Sequence, residues 1–566
     1  MLLVPPSKSI KDVLHILAQG GKRCFGVALI VDSCRRLQGL LNQGDLLRLI
    51  ARGTKFSLPV GFVARTDPVC VNEGWSDQKI VNHVREEFLR RTGGKRSFTQ
   101  YVPVLDRQSR VVGMVDMYEV LARLPSQGQP VAIYGLGYVG LTLGAALASR
   151  GHAVLGIDLN PKIVFDLQKG KSHVHEPRLL EMLQQGLASG MLRFSKSNLD
   201  YNGTVHIVAV GTPVGSTGTA NLSQLRQACR AVGSILKRGD LVMLRSTLPV
   251  GTTRQHVTPL LENAAGLTGG KGFHVAFCPE RTVEGRALHE LFSLPQIVGG
   301  LSEACYEKAA VFWATLTDSV IRSESVEAAE LIKLVNNSFR DLSFSFSNAV
   351  ALWADRFNLD MHKLIATANE GYPRNSIPRP SPGVGGYCLS KDPLLLAGRD
   401  RLPHAQLVCL GRKINVTAAD YPLNQVKRHL KNSKITWKKS LILVIGVAFK
   451  GDPETNDLRN SVSISIISKL KSQGAKVLVW DAVVKNIELR KKGFKPAKWP
   501  KDLGKCDAVM ILNNHPKNIS DKFLQQLPKK KSVLIFDGWG LLNRSEVEQR
   551  KNLTYGTMGY MTAKRR

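Results

Sequence analysis

Apolar runs of strand length alternate with helix-length amphipathic stretches over much of the 566-residue chain. Between residues 130 and 325 we predict five strands, at 131–134, 153–157, 205–210, 241–244 and 274–277. Strands that alternate with helices in this way form a parallel sheet with helical crossovers. The segment is therefore predicted to be a doubly wound α/β domain.

The alternation stops near residue 326 and starts again at Ser440. Residues 326–435 are predicted to be mainly helical, and further strands are predicted at 441–446, 475–481, 507–512 and 532–537. We therefore expect an α/β fold in which two Rossmann-like doubly wound domains, 130–325 and 436–566, are joined by a central helical region, 326–435.

The first 125 residues contain an internal repeat with a shift of 74 residues, and a polar linker with Pro and Gly follows them. The ALIVD segment that ends at Asp32 recurs as VPVLD ending at Asp106, and the segment starting at Gly39 recurs at Gly113. Each copy predicts a strand, a charged turn, a second strand and a helix with an acid in its first turn. Residues 1–125 are thus predicted to be an α+β pair.

This arrangement resembles a tandem CBS-domain pair, a regulatory module that binds adenosine nucleotides between its two copies. The resemblance implies that Asp45 holds a ribose in the first copy. In the second copy Glu119 replaces the usual Asp, and the equivalent positions Asn42 in the first copy and Asp116 in the second stand where Thr or Ser is common. An adenosine nucleotide is expected in the first copy, with a ligand-free dimerisation module as the alternative.

The formal net charge is +33, so polyanionic partners have to be considered. Much of this charge lies in lysine clusters around 427–439, 485–501 and 529–531. Aromatic residues do not interleave with these lysines, which argues against nucleic acid. A solvated basic surface and peripheral proximity to an anionic membrane both remain open.

Nine cysteines are widely spread and form no CxxC pair, which predicts reduced thiols, a cytoplasmic location and no metal site. Residues 1–12 lack the apolar core of a signal peptide. Residues 131–149 have the length of a membrane span, but their four glycines have a better explanation, and no transmembrane segment is expected.

That explanation is a dinucleotide-binding turn. The first predicted strand runs into Gly135-Leu-Gly137-Tyr-Val-Gly140, and Asp158 ends the next strand. Such glycines let the backbone approach a pyrophosphate at a helix N-terminus, while the acid binds the adenosine ribose and repels the 2′-phosphate of NADP. NAD is the expected cofactor, and a glycine-rich turn in an unrelated α/β domain is the alternative.

A second glycine-rich segment, residues 381–393, carries a thiol. In SPGVGGYCLSKDP, Cys388 is expected at the start of a helix, where the pKa of a thiol falls and its nucleophilicity rises. The glycines are expected to let a substrate approach the backbone. Taken alone, Asp392 followed by Pro393 is typical of a helix N-cap.

Five motifs stand in the order typical of one family, and on them the chain from 130 to 560 resembles the UDP-glucose/GDP-mannose dehydrogenases. The motifs are RSTLPVGTT (245–253), FCPERTVEG (277–285), ELIKLVNN (330–337), GGYCLSKD (385–392) and GVAFKGDPETNDLRNS (446–461). The resemblance implies oxidation of C6 of a UDP-sugar by two NAD in succession, through a thiohemiacetal and a thioester on Cys388.

The resemblance also implies the roles of individual residues. Lys333 and Asn337 would stabilise charge on the C6 oxygen from one helix face, with Leu331, Val335 and Leu342 on a separate, core-facing stripe. Thr247 and Asp392 would hold a water, and Glu280 would act in hydrolysis. The expected cofactor contacts are Gly135, Gly137, Tyr138, Val139, Gly140, Asp158, Thr212 and Thr247. The expected substrate contacts are Glu280, Arg281, Glu284, Lys333, Asn337, Arg374, Gly385, Lys450 and Arg459.

Arg374 is expected to reach the nucleotide sugar, across a subunit interface if the chain forms a homodimer or larger assembly on its central helices. Arg281 in Pro-Glu-Arg is similar to the UDP-N-acetylhexosamine enzymes and favours UDP-GlcNAc or UDP-ManNAc. Tyr387 and Lys391 are closer to the glucose type, so UDP-glucose is the alternative. A two-electron dehydrogenase and a catalytically inactive adenosine-nucleotide sensor are the rival hypotheses.

Overall fold

The computed structural model describes residues 2–20, 27–42, 45–46, 48–49, 53–92, 101–117, 120, 128–215, 218–398, 402–519 and 522–562. These residues form two small N-terminal sheets, a large sheet, a set of central helices and a second large sheet, in that order along the chain.

The two N-terminal sheets reproduce the sequence repeat. One contains β1 (Leu2–Val4), β2 (Val27–Val31) and β3 (Leu37–Asn42), and α1 (Ile10–Gly20) accompanies it. The other contains β4 (Val71–Asn72), β5 (Tyr101–Leu105) and β6 (Val111–Asp116), with α2 (Asp77–Thr92). The hairpins β2–β3 and β5–β6 begin and end at positions that are 74 residues apart, as the sequence predicted.

The turns of the two hairpins match and touch each other. Arg35 and Ser109 both have φ of 61°, and the amide of Leu37 donates to the carbonyl of Ser109 at 3.2 Å. Val111 donates in return to the carbonyl of Arg35 at 2.9 Å. The copies are therefore joined about a local pseudo-twofold axis. Glu119 lies outside the described residues.

The first large sheet has eight strands in the order β14-β13-β12-β11-β10-β7-β8-β9. The strands are β7 (Val131–Tyr134), β8 (Val154–Ile157), β9 (Leu192–Ser195), β10 (Val205–Val208), β11 (Leu241–Leu244), β12 (His274–Phe277), β13 (Gln296–Gly300) and β14 (Val320–Ser323). All five predicted strands are present. The strand order reverses between β7 and β10, which is where doubly wound sheets bind ligands.

Helices cover both faces of this sheet. They are α3 (Tyr138–Ser149), α4 (Pro161–Gln168), α5 (Leu179–Ala188), α6 (Ser223–Gly233), α7 (Thr258–Ala265), α8 (Ala287–Ser293) and α9 (Glu303–Trp313). Residues 131–149 form β7 and α3, and both pack into the core of this sheet. Within the described part of the chain, no helix is long and apolar enough to cross a membrane.

Five helices form the central region: α10 (Val326–Arg356), α11 (Met361–Asn369), α12 (Tyr387–Ala397), α13 (Pro403–Thr417) and α14 (Asp420–Asn432). The predicted stripe on α10 is wrong, because Leu331 and Val335 are exposed and Leu342 is half-buried. Lys333 and Asn337 lie on the buried face instead. Lys333 and Asn337 thus face the protein interior, whereas Leu331 and Val335 face outward.

The second large sheet has the order β16-β15-β17-β18-β19-β20, with its first five strands parallel. The strands are β15 (Leu441–Ile445), β16 (Lys476–Trp480), β17 (Ala508–Ile511), β18 (Val533–Asp537), β19 (Leu553–Thr557) and β20 (Tyr560–Met561). Its helices are α15 (Val462–Ser472), α16 (Asn486–Lys491) and α17 (Arg544–Glu548). The order reverses between β15 and β17, so a second ligand edge is expected there.

Candidate active site

The dinucleotide-binding turn has a separate geometric requirement at each glycine. Gly135 has φ of +96°, in the left-handed region that favours glycine. A Cβ on Gly140 would lie 1.9 Å from the carbonyl oxygen of Gly135, so only glycine lets α3 pack this closely. Gly137 is exposed and faces open space at the N-terminus of α3. That opening fits the pyrophosphate of a dinucleotide.

The expected ribose ligand lies beside this turn. The carboxylate of Asp158 follows β8 and accepts a 2.9 Å hydrogen bond from the amide of Leu136. Tyr138, at the start of α3, donates its hydroxyl to Glu176, which also accepts from the amide of Gly285 at 2.7 Å. Glu176 therefore joins the cofactor turn to the 277–285 motif, and the sequence analysis did not identify it.

Thr212 and Thr247 lie at the switch point of the first large sheet. Thr212 follows β10 and Thr247 follows β11, which are adjacent parallel strands. The hydroxyl of Thr212 donates to the carbonyl of Thr247 at 2.6 Å. The structure thus brings both predicted contacts to the edge where the dinucleotide turn lies.

Cys388 is the second residue of α12, as predicted, but the helix differs from the expected one. Gly386 is its N-cap, with φ of 88°, and Pro393 lies inside the helix. Asp392 is therefore not the N-cap that its Pro neighbour indicated. It lies in the middle of α12 with its side chain fully buried.

The glycines before Cys388 pack against protein. A Cβ on Gly385 would lie 2.6 Å from the carbonyl oxygen of Asn460, and a Cβ on Gly386 would lie 2.8 Å from the Phe449 ring. The close approach predicted for a substrate is made here by the loop after β15. The Cys388 turn is thus fixed on the ligand edge of the second large sheet.

Cys388 is exposed to solvent, although protein atoms surround much of its thiol. This burial raises the pKa of the thiol above its ordinary value, and the charge of Lys333 is the largest opposing influence. The expected lowering of the pKa by the helix start is therefore wrong for the ligand-free chain. Most of the thiol is protonated at neutral pH.

Lys333 and Glu280 meet through the backbone. Buried Lys333 donates from Nζ to the carbonyl oxygen of Glu280 at 2.5 Å. The Glu280 carboxylate accepts two hydrogen bonds from Arg245, at 2.9 and 2.6 Å, and one from the amide of Thr282. Burial favours the protonated acid, but Arg245 and Thr282 hold the pKa of Glu280 below its ordinary value. Such a carboxylate is a weaker base than the sequence led us to expect.

Asn337 and Lys391 both contact Asp392. The amide nitrogen of Asn337 donates to one carboxylate oxygen at 2.5 Å, and Nζ of Lys391 donates to the other at 2.6 Å. All three side chains are buried. Asp392 thereby fixes the side chain of Asn337 and balances the charge of Lys391.

A third cluster joins the 277–285 motif to the second large sheet. Nζ of Lys450 donates to the carbonyl of Glu284 at 2.5 Å, and Arg459 reaches its carboxylate at 3.4 Å. Burial and the nearby charge of Asp457 raise the pKa of Glu284 to about 6. Two cations, Lys450 and Arg459, therefore lie beside Glu284, and Arg459 is also held by Asp457 at 2.6 Å.

The structure does not bring two predicted contacts to this cluster. Arg281 donates to the carbonyl of Pro295 within the first α/β region. Arg374 is exposed after α11, with its guanidinium 5.0 Å from the ring centre of Tyr372. Their assignment to the sugar nucleotide stays a prediction.

A cleft of about 610 Å³ lies between the dinucleotide turn and the 455–459 loop. Gly137, which the sequence assigned to the cofactor, and Glu284 and Arg459, which it assigned to the substrate, line this cleft. Lys491 at the end of α16 and the adjacent Lys492 also line it, and the sequence placed them only in a general basic cluster. Arg245 was likewise missed as a partner of Glu280, although it is the first residue of the 245–253 motif.

The predicted regulatory acid has partners within the chain. Asp45 is buried, and its carboxylate accepts hydrogen bonds from Arg48 at 2.6 Å and from Arg65 at 2.9 and 2.5 Å. These arginines, together with the amide of Asn42, hold the pKa of Asp45 below its ordinary value despite burial. A cleft of about 410 Å³ is lined by Ala64, the residue before Arg65, and by Phe62, which is 80% exposed.

Family profiles match four segments of the chain. Three belong to the UDP-glucose/GDP-mannose dehydrogenase family: its NAD binding domain at residues 129–317, its central domain at 327–416 and its UDP binding domain at 443–544. A CBS domain profile matches residues 1–52, which include the first copy of the repeat. The profiles therefore identify NAD as the cofactor.

Individual relatives cover the same region. UDP-N-acetyl-D-mannosamine dehydrogenase of Campylobacter jejuni is 33% identical over 411 residues, 70% of this chain and 98% of that protein. The structure of the UDP-D-ManNAc dehydrogenase of Pyrococcus horikoshii matches with a TM-score of 0.69 at 30% identity, covering 76% of this chain and 99% of that one.

A UDP-glucose dehydrogenase from Pyrobaculum islandicum matches with a TM-score of 0.66 at 27% identity, covering 77% of this chain and 99% of that one. The matching proteins thus act on different sugars but share one architecture. With the five motifs, the geometry of the two ligand edges and the three domain profiles in agreement, this chain belongs to the UDP-glucose/GDP-mannose dehydrogenase family of NAD-dependent nucleotide-sugar dehydrogenases.

Proposed function

We propose that the chain oxidises the C6 hydroxymethyl group of a UDP-sugar to a carboxylate, removing four electrons through covalent intermediates on Cys388. The observation that carries this proposal is the solvent-exposed Cys388 at the start of α12, where the buried charge of Lys333 is the largest influence that lowers the pKa of the thiol. A dehydrogenase that stops after two electrons has no use for a nucleophile there. Four-electron oxidation needs one.

NAD, when bound, accepts the hydride that leaves C6 in each oxidation. In the first step the hydroxyl loses its proton, through a water held by Thr247 and Asp392, and Lys333 stabilises the negative charge on the C6 oxygen. Asn337 uses one N–H for Asp392 and keeps the second for the same oxygen. Loss of this proton and of the first hydride converts the C6 hydroxymethyl group to an aldehyde.

Cys388 then adds to the aldehyde. A carbon–sulfur bond forms, the thiol proton passes to the oxygen, and the thiohemiacetal loses a second hydride and a proton to become a thioester. Water attacks the thioester carbon, the carbon–sulfur bond breaks, and the thiol regains a proton. Glu284 is the better base for this water, because its pKa of about 6 leaves it ionised yet basic at neutral pH. Glu280 holds Lys333 in place.

The stoichiometry of NADH tests this function. NADH formed per sugar consumed should be two, and mass spectrometry should find the uronic acid as product. Cys388→Ala should form no acid, since the thioester cannot form. One NADH per sugar from the unmodified chain, or normal acid production by Cys388→Ala, would contradict the proposal.

UDP-ManNAc or UDP-GlcNAc is the proposed substrate. The Pro-Glu-Arg form of the motif at Arg281 and the names of the Campylobacter and Pyrococcus relatives support an N-acetylamino sugar. Tyr387 and Lys391 support UDP-glucose as second candidate. Comparing kcat/KM for UDP-ManNAc, UDP-GlcNAc, UDP-glucose and GDP-mannose decides between them, and a preference for GDP-mannose would contradict both.

An adenosine nucleotide is proposed to bind in the first N-terminal copy and to modulate turnover. The cleft with exposed Phe62 offers a ring for adenine, and Arg48 and Arg65 beside Asp45 offer charges for phosphate. AMP, ADP and ATP should each be titrated against the full chain, with Phe62→Ala as the binding-site variant. Equal responses of the two proteins would exclude this site.

A homodimer or larger assembly is also proposed. Phe339, Phe346 and Trp353 recur every seven residues along α10 and are mainly exposed, which gives one apolar stripe. A partner on this stripe would also bring a second Arg374 near the central helices.

We further propose that the chain folds as four structural units, at residues 1–125, 130–325, 326–435 and 436–566. The eight cysteines described as free support a reducing, cytoplasmic location.

A further inference from the structure

The surplus positive charge is concentrated in the last part of the chain. Residues 436–566 contain 26 Lys and Arg but 11 Asp and Glu, so this segment carries +15 of the formal +33. Four of those carboxylates are buried: Asp481, Asp502, Asp507 and Asp537. The surface of the second large sheet region therefore offers many cations and few anions.

Exposed lysines stand at or just before the start of each of the five parallel strands of this sheet. They are Lys438 and Lys439 before β15, Lys476 in β16, Lys505 before β17, Lys529, Lys530 and Lys531 before β18, and Lys551 before β19. Parallel strands begin at the same edge of a sheet. These eight lysines, here named the basic edge, therefore lie along one side of the molecule.

Contacts between neighbouring strands show that the basic edge is continuous. Nζ of Lys531 donates to the carbonyl of Lys505 at 3.0 Å, and the side chain of Asn552 donates to the carbonyl of Lys531 at 3.0 Å. At the other end, the amide of Lys476 donates to the carbonyl of Ser440 at 3.0 Å. The lysines form one row across the sheet.

Two carboxylates lie in this row, and both are buried. Asp502 pairs with Lys505 at 3.1 Å, and Asp507 pairs with Lys531 at 2.7 Å. Over the ranges that the structure describes, none of the other six lysines forms an ion pair with a carboxylate. A row of solvated like charges repels itself, so an anionic partner would stabilise it.

The basic edge is too far from the sugar nucleotide to serve it. The opposite ends of the same strands face the Cys388 turn, since a Cβ on Gly538 after β18 would lie 2.4 Å from the Pro382 side chain. A five-residue strand spans about 16 Å. That exceeds the Debye length of about 8 Å at physiological ionic strength, so salt screens the lysines from the nucleotide phosphates.

We propose that the basic edge docks on an anionic lipid bilayer. Its lysines are compact point charges in a row, which suits laterally mobile headgroups. Nucleic acid is less suited, because stacking needs exposed aromatic rings and Trp437 beside the edge is half-buried. Docking in this orientation leaves the cleft at the carboxyl ends of the strands open to solution. Membrane docking is independent of which sugar the chain oxidises.

Co-sedimentation of the full chain with vesicles tests the proposal. One set of vesicles is pure phosphatidylcholine, and the other contains equal parts of phosphatidylcholine and phosphatidylglycerol. The chain should sediment with the anionic vesicles alone, and roughly 1 M NaCl should release it because the Debye length falls to about 3 Å.

The variant Lys439→Gln/Lys529→Gln/Lys530→Gln/Lys551→Gln should bind the anionic vesicles at least about 100-fold more weakly, since each lysine contributes roughly fivefold. The matched control, Lys11→Gln/Lys196→Gln/Lys271→Gln/Lys363→Gln, removes the same charge from exposed lysines elsewhere and should stay within a few-fold of the unmodified chain. NADH formation should be unchanged in both.

Three results would overturn membrane docking. The first is absence of binding to the anionic vesicles at physiological salt. The second is an equal loss of binding in the edge variant and the matched control, which would indicate total charge rather than the basic edge. The third is that the unmodified chain binds duplex DNA but not the anionic vesicles, and that the edge variant loses the binding to DNA.

Discussion

The amide nitrogen of Asn337 lies 2.5 Å from a carboxylate oxygen of Asp392, and this hydrogen bond joins α10 to the helix that starts beside Cys388. The second carboxylate oxygen accepts from Lys391 at 2.6 Å. Asp392 is fully buried, so bulk solvent does not reach its charge. One carboxylate thus orients a predicted catalytic amide and neutralises a buried lysine.

Replacing Asp392 with Asn should lower the free energy of unfolding by about 3 kcal/mol, because Lys391 is left buried without a counter-charge. The shift of the urea midpoint measures this loss. Lys391→Met/Asp392→Leu removes both charges and should recover most of the stability, but its kcat should stay low because Asn337 has lost its partner. An unshifted midpoint in Asp392→Asn would show that the pair is not held as described.

Lys333 should control how fast Cys388 is alkylated. Burial raises the pKa of the thiol, so the reactive thiolate is a minority at neutral pH and increases as pH rises. Lys333→Met removes the largest opposing charge and should slow modification by iodoacetamide at pH 8 roughly tenfold, because a smaller share of the thiol is then ionised. Exposed Cys409 is the internal reference in the same digest. An unchanged ratio of the two rates would contradict the coupling.

Glu284 should set the acid limb of kcat/KM. Its pKa is raised to about 6, so the carboxylate form needed for a base dominates above that pH and is lost below it. Activity should fall tenfold per pH unit below about 6. Glu284→Gln should lower kcat at least about 100-fold and remove this limb. Glu280→Gln is the comparison, and an acid limb that survives in Glu284→Gln but disappears in Glu280→Gln would reverse the two roles.

The sequence predicted those parts of the fold that local patterns determine. The dinucleotide turn was identified because Gly135 and Gly140 each meet a requirement that a short segment imposes on itself, and Gly137 between them faces open space. The N-terminal hairpins were identified because the repeat preserves both the strands and the turn at Arg35 and Ser109. Both features could be predicted because each depends only on residues within one or two neighbouring secondary-structure elements.

Contacts between distant segments were not predictable in the same way. Arg245 and Glu280 are 35 residues apart, and their pairing, which lowers the pKa of Glu280, depends on the adjacency of β11 and β12. The direction of the Cys388 pKa shift depends on how many protein atoms surround the thiol. Periodicity also misled on α10, because Leu331 and Val335 belong to an outward apolar face.

That outward face should hold the assembly together. Phe339 is 70% exposed and Phe346 is 56% exposed, and the two lie about two turns apart on the same face of α10. Burial of such rings stabilises an interface. Phe339→Asp/Phe346→Asp should shift the mass measured by analytical ultracentrifugation to that of a single chain. Leu199→Asp, at a position 80% exposed outside the central helices, is the control and should not change the mass. A double variant with the unmodified mass would exclude this face as the interface.

Lys491 and Lys492 should assist in holding NAD. Both line the cleft that Gly137 opens into, so their charges face the position where the dinucleotide pyrophosphate fits at the start of α3. Lys491→Gln/Lys492→Gln should raise KM for NAD roughly tenfold and leave kcat nearly unchanged, because the lysines contact neither C6 nor Cys388 and so contribute equally to ground and transition states. Lys485→Gln/Lys495→Gln removes the same charge from exposed lysines near α16 that do not line the cleft, and its KM for NAD should match that of the unmodified chain. If both double variants raised KM for NAD equally, the cause would be general electrostatic attraction by the basic segment rather than contact in the cleft. A direct contact depends on which lysine is replaced, whereas a long-range field depends mainly on the total charge.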